Sequence, residues 1–429
     1  MVTTLRVEPA RGGLHGRLRV PGDKSVSHRA LLLAALAKGR SRIRGLSRGE
    51  DVVHTAAAMA AFGAGVQTEP DGTVTVDGGA DQLREPDRVI DVGNSGTGIR
   101  LLSGWVASRP WLTVLTGDQS IAGRPMGRIA DPLRLMGVRI DGRQDGRYPP
   151  LAIRGGDLHG IDYTPPVASA QVKGAVLLAG LGAEGETTVR EAIPTRQHSE
   201  ELLALFGADV EATPGTSTVR RSTLTPTDLQ VPSDPSQAAF WAVAASVVPG
   251  SDLLLEGVYV GYGRAGFVDV LLRMGADITY EHHDEATSTA DLRVRSAPLR
   301  ATEVRGAEVP SLIDEIPVLA VAAAYADGVT IFADAAELKV KESDRIATTV
   351  AGLHALGGEA EATPDGLVVP GRAGRPLTAG AVDSHADHRI AMAFAVAALA
   401  GDGPVEVSGF DAVATSYPTF EEDLRRCGS

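Results

Sequence analysis

Apolar positions along this chain fall into one phrase that keeps returning: an apolar helix end, a glycine, then a short stretch where apolar and polar residues alternate. It reads AAFGAGVQ at 60–67, LRLMGVRI at 133–140, LALFGADV at 203–210, LLRMGADI at 271–278 and LHALGGEA at 353–360. A truncated copy, LRRCGS, ends the sequence. Helical spacing that stops at glycine and resumes with period two predicts a helix, a left-handed cap and a half-buried strand. Such joints occur throughout α/β proteins, so one copy carries no information. The regular spacing does: Gly63, Gly137, Gly207, Gly275, Gly357 and Gly428 lie 68 to 82 residues apart. That predicts six α/β units, each longer than a solenoid repeat and folding as a small sandwich of sheet and helices. Two globular lobes of three units follow.

A second pattern places polar clusters directly before strongly apolar runs. GDKSVSHR precedes ALLLAALA, GNSGTGIR precedes LLSGWVA, SAQVK precedes GAVLLAGL, ESDR precedes IATTVAGL, and ADHR precedes IAMAFAVAALA. A run apolar on all sides, such as 30–37, is a helix buried inside a lobe. Its polar start must then surface at one end. Helix N-termini carry unpaired N–H groups and partial positive charge, so several converging make an anion site. Most here are also tipped with Lys or Arg, which points to a small molecule carrying several negative charges.

Composition narrows this further. At 429 residues the chain exceeds what one core normally serves, so two domains are expected. Aromatics at 4% against 50 glycines fit many short, similar units better than one large irregular core. The net charge of −13 opposes nucleic acid and anionic membrane surfaces as partners. The single cysteine, Cys427, excludes an internal disulfide and a cysteine-rich metal site. MVTTLRVEPA has no basic stretch leading into an apolar one, so no secretory signal is expected. The apolar runs at 30–37 and 391–400 are too short to span a bilayer. A cytoplasmic location is the expectation.

Each cluster admits a plain reading beside a chemical one. Lys24 and Arg29 flank a helix start with hydroxyls between them, and a capped helix with solvated charges would explain that. Phosphate or carboxylate binding explains better why the cations sit at the fixed end of a buried helix. No GxxxxGK[ST] occurs, so this is not a Walker A loop. Small residues at 95–98 let a ligand approach the backbone, although the loop has neither GxSxG nor GxGxxG spacing; Arg100, one turn in, is equally a structural residue. Arg124 stands beside Pro125, which restricts its backbone, or is an ordinary turn arginine. Ser169 and Gln171 cap a helix or bond a phosphate or polyol, and Arg196 precedes another helix. Asp314 and Glu315 border a long apolar run, and a buried unpaired carboxylate costs roughly several kcal/mol. One can be an N-cap; a general base is the alternative. Lys339 to Arg345 is the densest charge cluster, a solvated face or part of the same pole. His385, Asp387 and His388 lack a third well-spaced ligand, so no metal is expected there. His282 to Glu285 reads as an exposed loop.

Taken together, GDKSVSHRALLLAALA, GNSGTGIR, AGRPMG, SAQVKGAVLLAGL, SLIDEIPVLAVAAA, LKVKESDR and DHRIAM resemble, in order, the motifs of the 5-enolpyruvylshikimate-3-phosphate synthase family over the whole chain. The resemblance implies an α/β (α+β) fold of two similar lobes, each of three βαβαββ units with buried helices, closing over a central cleft. It assigns 21–235 to one lobe, and 1–20 with 236–429 to the other. It implies that Lys24, Ser25, Arg29, Ser169, Ala170, Arg196, Asp314 and Lys341 meet shikimate 3-phosphate. Gln171 would lie between the two substrates, and Lys24, Gly96, Arg124, Glu342, Arg345 and Arg389 would meet phosphoenolpyruvate. Asp314 resembles the family's base near the 5-hydroxyl, Glu342 its proton-transfer partner at the vinyl carbon, and Lys24 completes the catalytic set. The implied chemistry needs no metal or organic cofactor, only small-molecule substrates, and a monomer is expected. Departures from the family pattern are Ala170 for a frequent serine, Glu337 for an asparagine, Leu101 for a frequent proline, and no lysine in 414–418.

Three rivals share parts of this pattern. An enolpyruvyl transferase acting on a UDP-aminosugar uses a mobile-loop cysteine that this chain lacks. An RNA-end-processing enzyme of related architecture conflicts with the acidic charge. A non-catalytic phosphometabolite-binding homologue conflicts with the presence of Lys24, Asp314 and Glu342.

Overall fold

The computed structural model describes residues 3–427. The chain divides into two compact units, Gly22–Val231 and Met1–Pro21 with Pro232–Ser429. The sequence expectation put the boundaries at 21 and 235; the units meet at Pro21/Gly22 and Val231/Pro232.

One repeat shows how the phrase folds. The strand Ile90–Asp91 leads into the buried helix Gly96–Val106, then the strand Leu112–Thr116 and the helix Gly127–Leu135. The strands Arg139–Gly142 and Tyr148–Arg154 complete it. The first strand pairs parallel with the second, while the fourth lies antiparallel to both the second and the third. The same order recurs in five four-stranded sheets among the described residues, with one further three-stranded sheet.

Five of the six joint glycines have positive φ: Gly63 +101°, Gly137 +104°, Gly207 +77°, Gly275 +90° and Gly357 +69°. A side chain at such a joint would be strained, so glycine ends the helix and turns the chain into the strand. The sixth, Gly428, lies outside the described residues.

Three sheets borrow strands from far along the chain. Leu229–Gln230 pairs parallel with Gly39–Arg44 in the first unit. In the other unit, His15–Leu18 pairs parallel with Asp252–Tyr259, and Thr4–Val7 pairs antiparallel with Val405–Ser408. The N-terminal segment therefore belongs with the C-terminal half.

Each unit has its own core around three buried helices. In the unit 22–231 they are Lys24–Leu36, Gly96–Val106 and Ala170–Gly180; in the other they are Pro235–Val247, Ile316–Tyr325 and His388–Leu399. Small residues bring them close. A Cβ on Gly104 would stand 2.0 Å from the Ala175 carbonyl oxygen, so no larger residue fits between those two helices. We expect Gly104→Val to lower the melting temperature of the unit 22–231 by roughly 4–12 °C, since overpacking against fixed backbone costs about 1–3 kcal/mol or more. A melting temperature within about 2 °C of the parent would contradict this helix contact.

Side-chain caps hold the starts of five of these helices: Asp23, Ser95, Ser169, Asp234 and Asp387 each accept the backbone N–H of the second or third helical residue. Against the loop expected at 282–285, His282 to Asp284 continue the strand Asp277–Asp284, which pairs with Thr289–Arg295. The register shifts between Glu281 and Asp284, and His282 has φ +47°. A bulge thus lets an exposed polar stretch stay in the hairpin. Among the described residues, no helix is long and apolar enough to cross a membrane.

Candidate active site

In the unit 22–231, the starts of the three buried helices come together. Lys24, at the first position of its helix, pairs with Asp51 at 2.9 Å. Arg29, one turn on and buried, donates through Nε to Ser199 Oγ at 2.7 Å and through Nη1 to the Ser25 carbonyl at 3.0 Å. His28 lies between the two cations in sequence and is fully buried. Its Nδ1 is 2.7 Å from Thr55 Oγ1, and that hydroxyl donates to the Asp51 carbonyl. The tautomer that fits has Nδ1–H donating to Thr55 and Nε2 facing Ser95 Oγ at 3.5 Å.

Burial first, then the charges of Lys24 and Arg29, hold the His28 imidazole well below the usual histidine range. The folded state therefore keeps it neutral, whereas the unfolded chain takes up a proton below about pH 6.5. Stability from this group is full above that pH and falls as pH drops further, by at most about 1.4 kcal/mol per pH unit. Replacing His28 by glutamine should flatten the melting-temperature profile between pH 6.5 and 5. Equal slopes for parent and variant would refute a neutral, buried His28.

The glycine-rich start contributes its backbone. A Cβ on Gly96 would lie 2.6 Å from Arg124 Nη1 and 3.7 Å from Arg100 Nη1, so both guanidinium groups rest against a bare helix turn. Arg100 donates through Nη1 to Gln171 Oε1, and Gln171 Nε2 donates to Thr97 Oγ1 at 2.8 Å. Gln171 thereby ties the start of its own helix to that of Gly96–Val106. Ser169 caps its helix through Val172 N, and Ala170 beside it offers no side-chain hydrogen bond. Arg196 sits half-buried in the connection before the helix His198–Leu205.

In the other unit the expected residues form one connected ionic network. Asp314, in a short turn before the helix Ile316–Tyr325, accepts through Oδ1 from Lys341 Nζ at 3.3 Å and Arg345 Nη1 at 3.2 Å. Arg345, 1% exposed, also reaches Glu342 at 2.5 Å and Asp387 at 2.8 Å. Burial opposes its charge, but Asp387, Glu342 and Asp314 together raise its proton affinity above that of an ordinary arginine. Arg389 donates to the Asp314 carbonyl at 3.1 Å and lies 3.4 Å from Glu315 Oε1. Ser236 Oγ donates to that same Glu315 oxygen. Glu337, a departure from the family pattern, stands 3.7 Å from Lys341. Five carboxylates, two arginines and a lysine thus form a small, largely dehydrated network, a set able to bind an anion and move protons.

A sequence profile of EPSP synthase (3-phosphoshikimate 1-carboxyvinyltransferase) matches residues 9–424. The chain belongs to the EPSP synthase family. It is 52% identical over 425 residues to a 3-phosphoshikimate 1-carboxyvinyltransferase of Gloeobacter violaceus, covering 98% of each chain. A protein of the same name from Synechococcus sp. is 50% identical over 429 residues, covering 98% of this chain and 96% of that one. The solved EPSP synthase from Acinetobacter baumannii aligns with a TM-score of 0.88 at 42% identity, over 99% of this chain and 98% of the other. An enolpyruvyl transferase from Streptomyces tendae shares the fold, with a TM-score of 0.79 at 21% identity over 100% and 98% of the two chains.

Several partners in this EPSP synthase family member were not singled out from the sequence. Asp51 and Ser199 are 27 and 170 residues from the cations they meet. Arg100, open between structural and binding roles, is bonded to Gln171. Asp387, weighed as a metal ligand, is the buried partner of Arg345, and among the described residues no cluster of three His, Cys, Asp or Glu is arranged for a metal. Only Asp387 carried a usable signal: an aspartate directly before an apolar run is a helix cap, and its second oxygen remains available to a neighbour.

Proposed function

We propose that this chain transfers the enolpyruvyl group of phosphoenolpyruvate to the 5-hydroxyl of shikimate 3-phosphate, releasing phosphate. The observation that carries the reading is the family match across residues 9–424, together with relatives near 50% identity that bear this activity's name. The UDP-aminosugar rival is disfavoured because the single cysteine, Cys427, is buried in the C-terminal helix.

The reaction in this reading is an addition followed by an elimination. A proton adds to C3 of phosphoenolpyruvate, and the 5-hydroxyl oxygen attacks the cationic C2 while losing its own proton. The tetrahedral adduct then loses phosphate from C2 and a proton from the methyl group, restoring the double bond. Asp314 is assigned as the acceptor of the hydroxyl proton, with Glu342 and Lys24 handling the proton at the vinyl carbon. Each transfer is worth about 10²–10⁴-fold in rate. Arg124, which rests against the bare turn at Gly96, is assigned with Arg345 and Arg389 to the phosphate and carboxylate of phosphoenolpyruvate. Lys24, Ser25, Arg29, Ser169, Ala170, Gln171, Arg196, Asp314 and Lys341 are assigned to shikimate 3-phosphate, with Gln171 and Lys24 shared between the substrates. The acidic net charge supports a protein without nucleic-acid partners, and we read it as a cytoplasmic monomer.

Phosphate release with shikimate 3-phosphate as acceptor, measured beside UDP-N-acetylglucosamine, tests the assignment. Turnover with the aminosugar alone would sink it. A methyl at position 96 would push Arg124 aside at little cost to the fold, because the neighbour is the far end of a flexible side chain. Gly96→Ala is therefore expected to raise the KM for phosphoenolpyruvate by roughly tenfold to a hundredfold. An unchanged KM in steady-state assays would remove Arg124 from that substrate.

A further inference from the structure

Lys173 is assigned no role by the motifs, and its surroundings are unusual. It stands one turn beyond Ser169 and Ala170 on the helix Ala170–Gly180, with its side chain 2% exposed. Its ammonium meets Glu191 Oε2 at 2.8 Å, Glu200 Oε1 at 2.8 Å and the Thr195 carbonyl at 3.4 Å. Both carboxylates are as buried as the lysine, at 2% and 3% exposed. Two buried carboxylates against one ammonium form a set that is costly to break and gains little as a general stabiliser. Such a set is better explained by the geometry it imposes.

That geometry is a closed loop. Glu191 follows the strand Glu186–Arg190, and Glu200 lies in the first turn of the helix His198–Leu205. Glu191 also accepts from Thr195 N at 3.2 Å and from the Thr195 hydroxyl, while Glu200 accepts from Ser217 Oγ at 2.8 Å. One ammonium therefore pins both ends and the middle of the segment 191–200, and Arg196 is carried inside it. Ser199, beside Glu200, receives Arg29 Nε. A Cβ on Gly174, the residue after Lys173, would come 2.8 Å from Ser199 Oγ and 3.1 Å from Arg29 Nη2, so helix, loop and Arg29 are in direct contact.

We infer that Lys173, with Glu191 and Glu200, is a positioning device that holds Arg196 and Arg29 against the start of the helix Ala170–Gly180, and so sets affinity for the phosphate of the acceptor substrate. The inference rests on the substrate assignment above. Lys173 itself touches neither substrate; it acts through the loop it closes.

The test uses the full chain, with Lys173→Met and the nearly isosteric Glu191→Gln. Shikimate 3-phosphate affinity is measured by calorimetry on each, with the KM for phosphoenolpyruvate and the melting temperature alongside. Both variants are expected to bind shikimate 3-phosphate about 10- to 100-fold more weakly, with the KM for phosphoenolpyruvate within about twofold of the parent. Arg196→Ala is expected to cost far less affinity in the Glu191→Gln background than in the parent, because the arginine has already lost its place. If Lys173→Met does not fold, Glu191→Gln decides alone. Unchanged shikimate 3-phosphate affinity, an equal loss for both substrates, or a full additive cost of Arg196→Ala would overturn the inference. A parent protein that does not bind shikimate 3-phosphate would fail the substrate assignment instead.

Discussion

Replacing Arg345 with methionine is expected to destabilise its unit by about 3–5 kcal/mol, the usual cost of removing one member of a buried ion pair. Arg345 is 1% exposed and its partner Asp387 is 0% exposed. Burial pushes the Asp387 carboxyl up, yet Arg345 outweighs it and holds the group below the usual carboxylate range. With the guanidinium gone, Asp387 must either stay charged without its partner or take a proton. The pH dependence follows from the depressed value. The pair's contribution is present above the unfolded-state aspartate range near pH 3.9 and is lost as pH falls through the lower folded value. The gap between parent and variant should therefore be full at pH 7 and shrink below about pH 4. Urea unfolding followed by Trp241 fluorescence, which reports on the same unit, gives both numbers. A midpoint unchanged at pH 7 would show that the Arg345 network does not hold this unit together.

Asp314→Asn should lower the rate of phosphate release by about 10²–10⁴-fold while leaving the fold intact. Asparagine keeps the shape and an acceptor oxygen for Lys341 and Arg345, and Arg345 retains Glu342 and Asp387. What is removed is the ability to take a proton. Lys24→Met should cause a comparable loss, although it also strips Asp51 of its cation, so Asp51→Asn is its proper control. Near-parental turnover in Asp314→Asn, at an unchanged melting temperature, would move the base elsewhere, with Glu342 next in line.

The parts of this protein legible in its sequence are those governed by local geometry. Glycine at the end of a helix answers to one backbone angle, so Gly63, Gly137, Gly207, Gly275 and Gly357 could mark the repeats before any contact was known. A helix apolar on every side must be buried whatever its neighbours, and an Asp or Ser before it must cap it, as Asp23, Ser95, Ser169 and Asp387 do. Only the tertiary structure could decide who meets whom. Thr4–Val7 and Leu229–Gln230 complete sheets begun far away, and Arg29 reaches a serine 170 residues on. The Lys173 clamp looked like one more polar residue at a helix start. Periodicity is written over a few residues, but pairing a buried charge requires a counter-charge at about 3 Å, and only the folding of each unit upon itself brings one there.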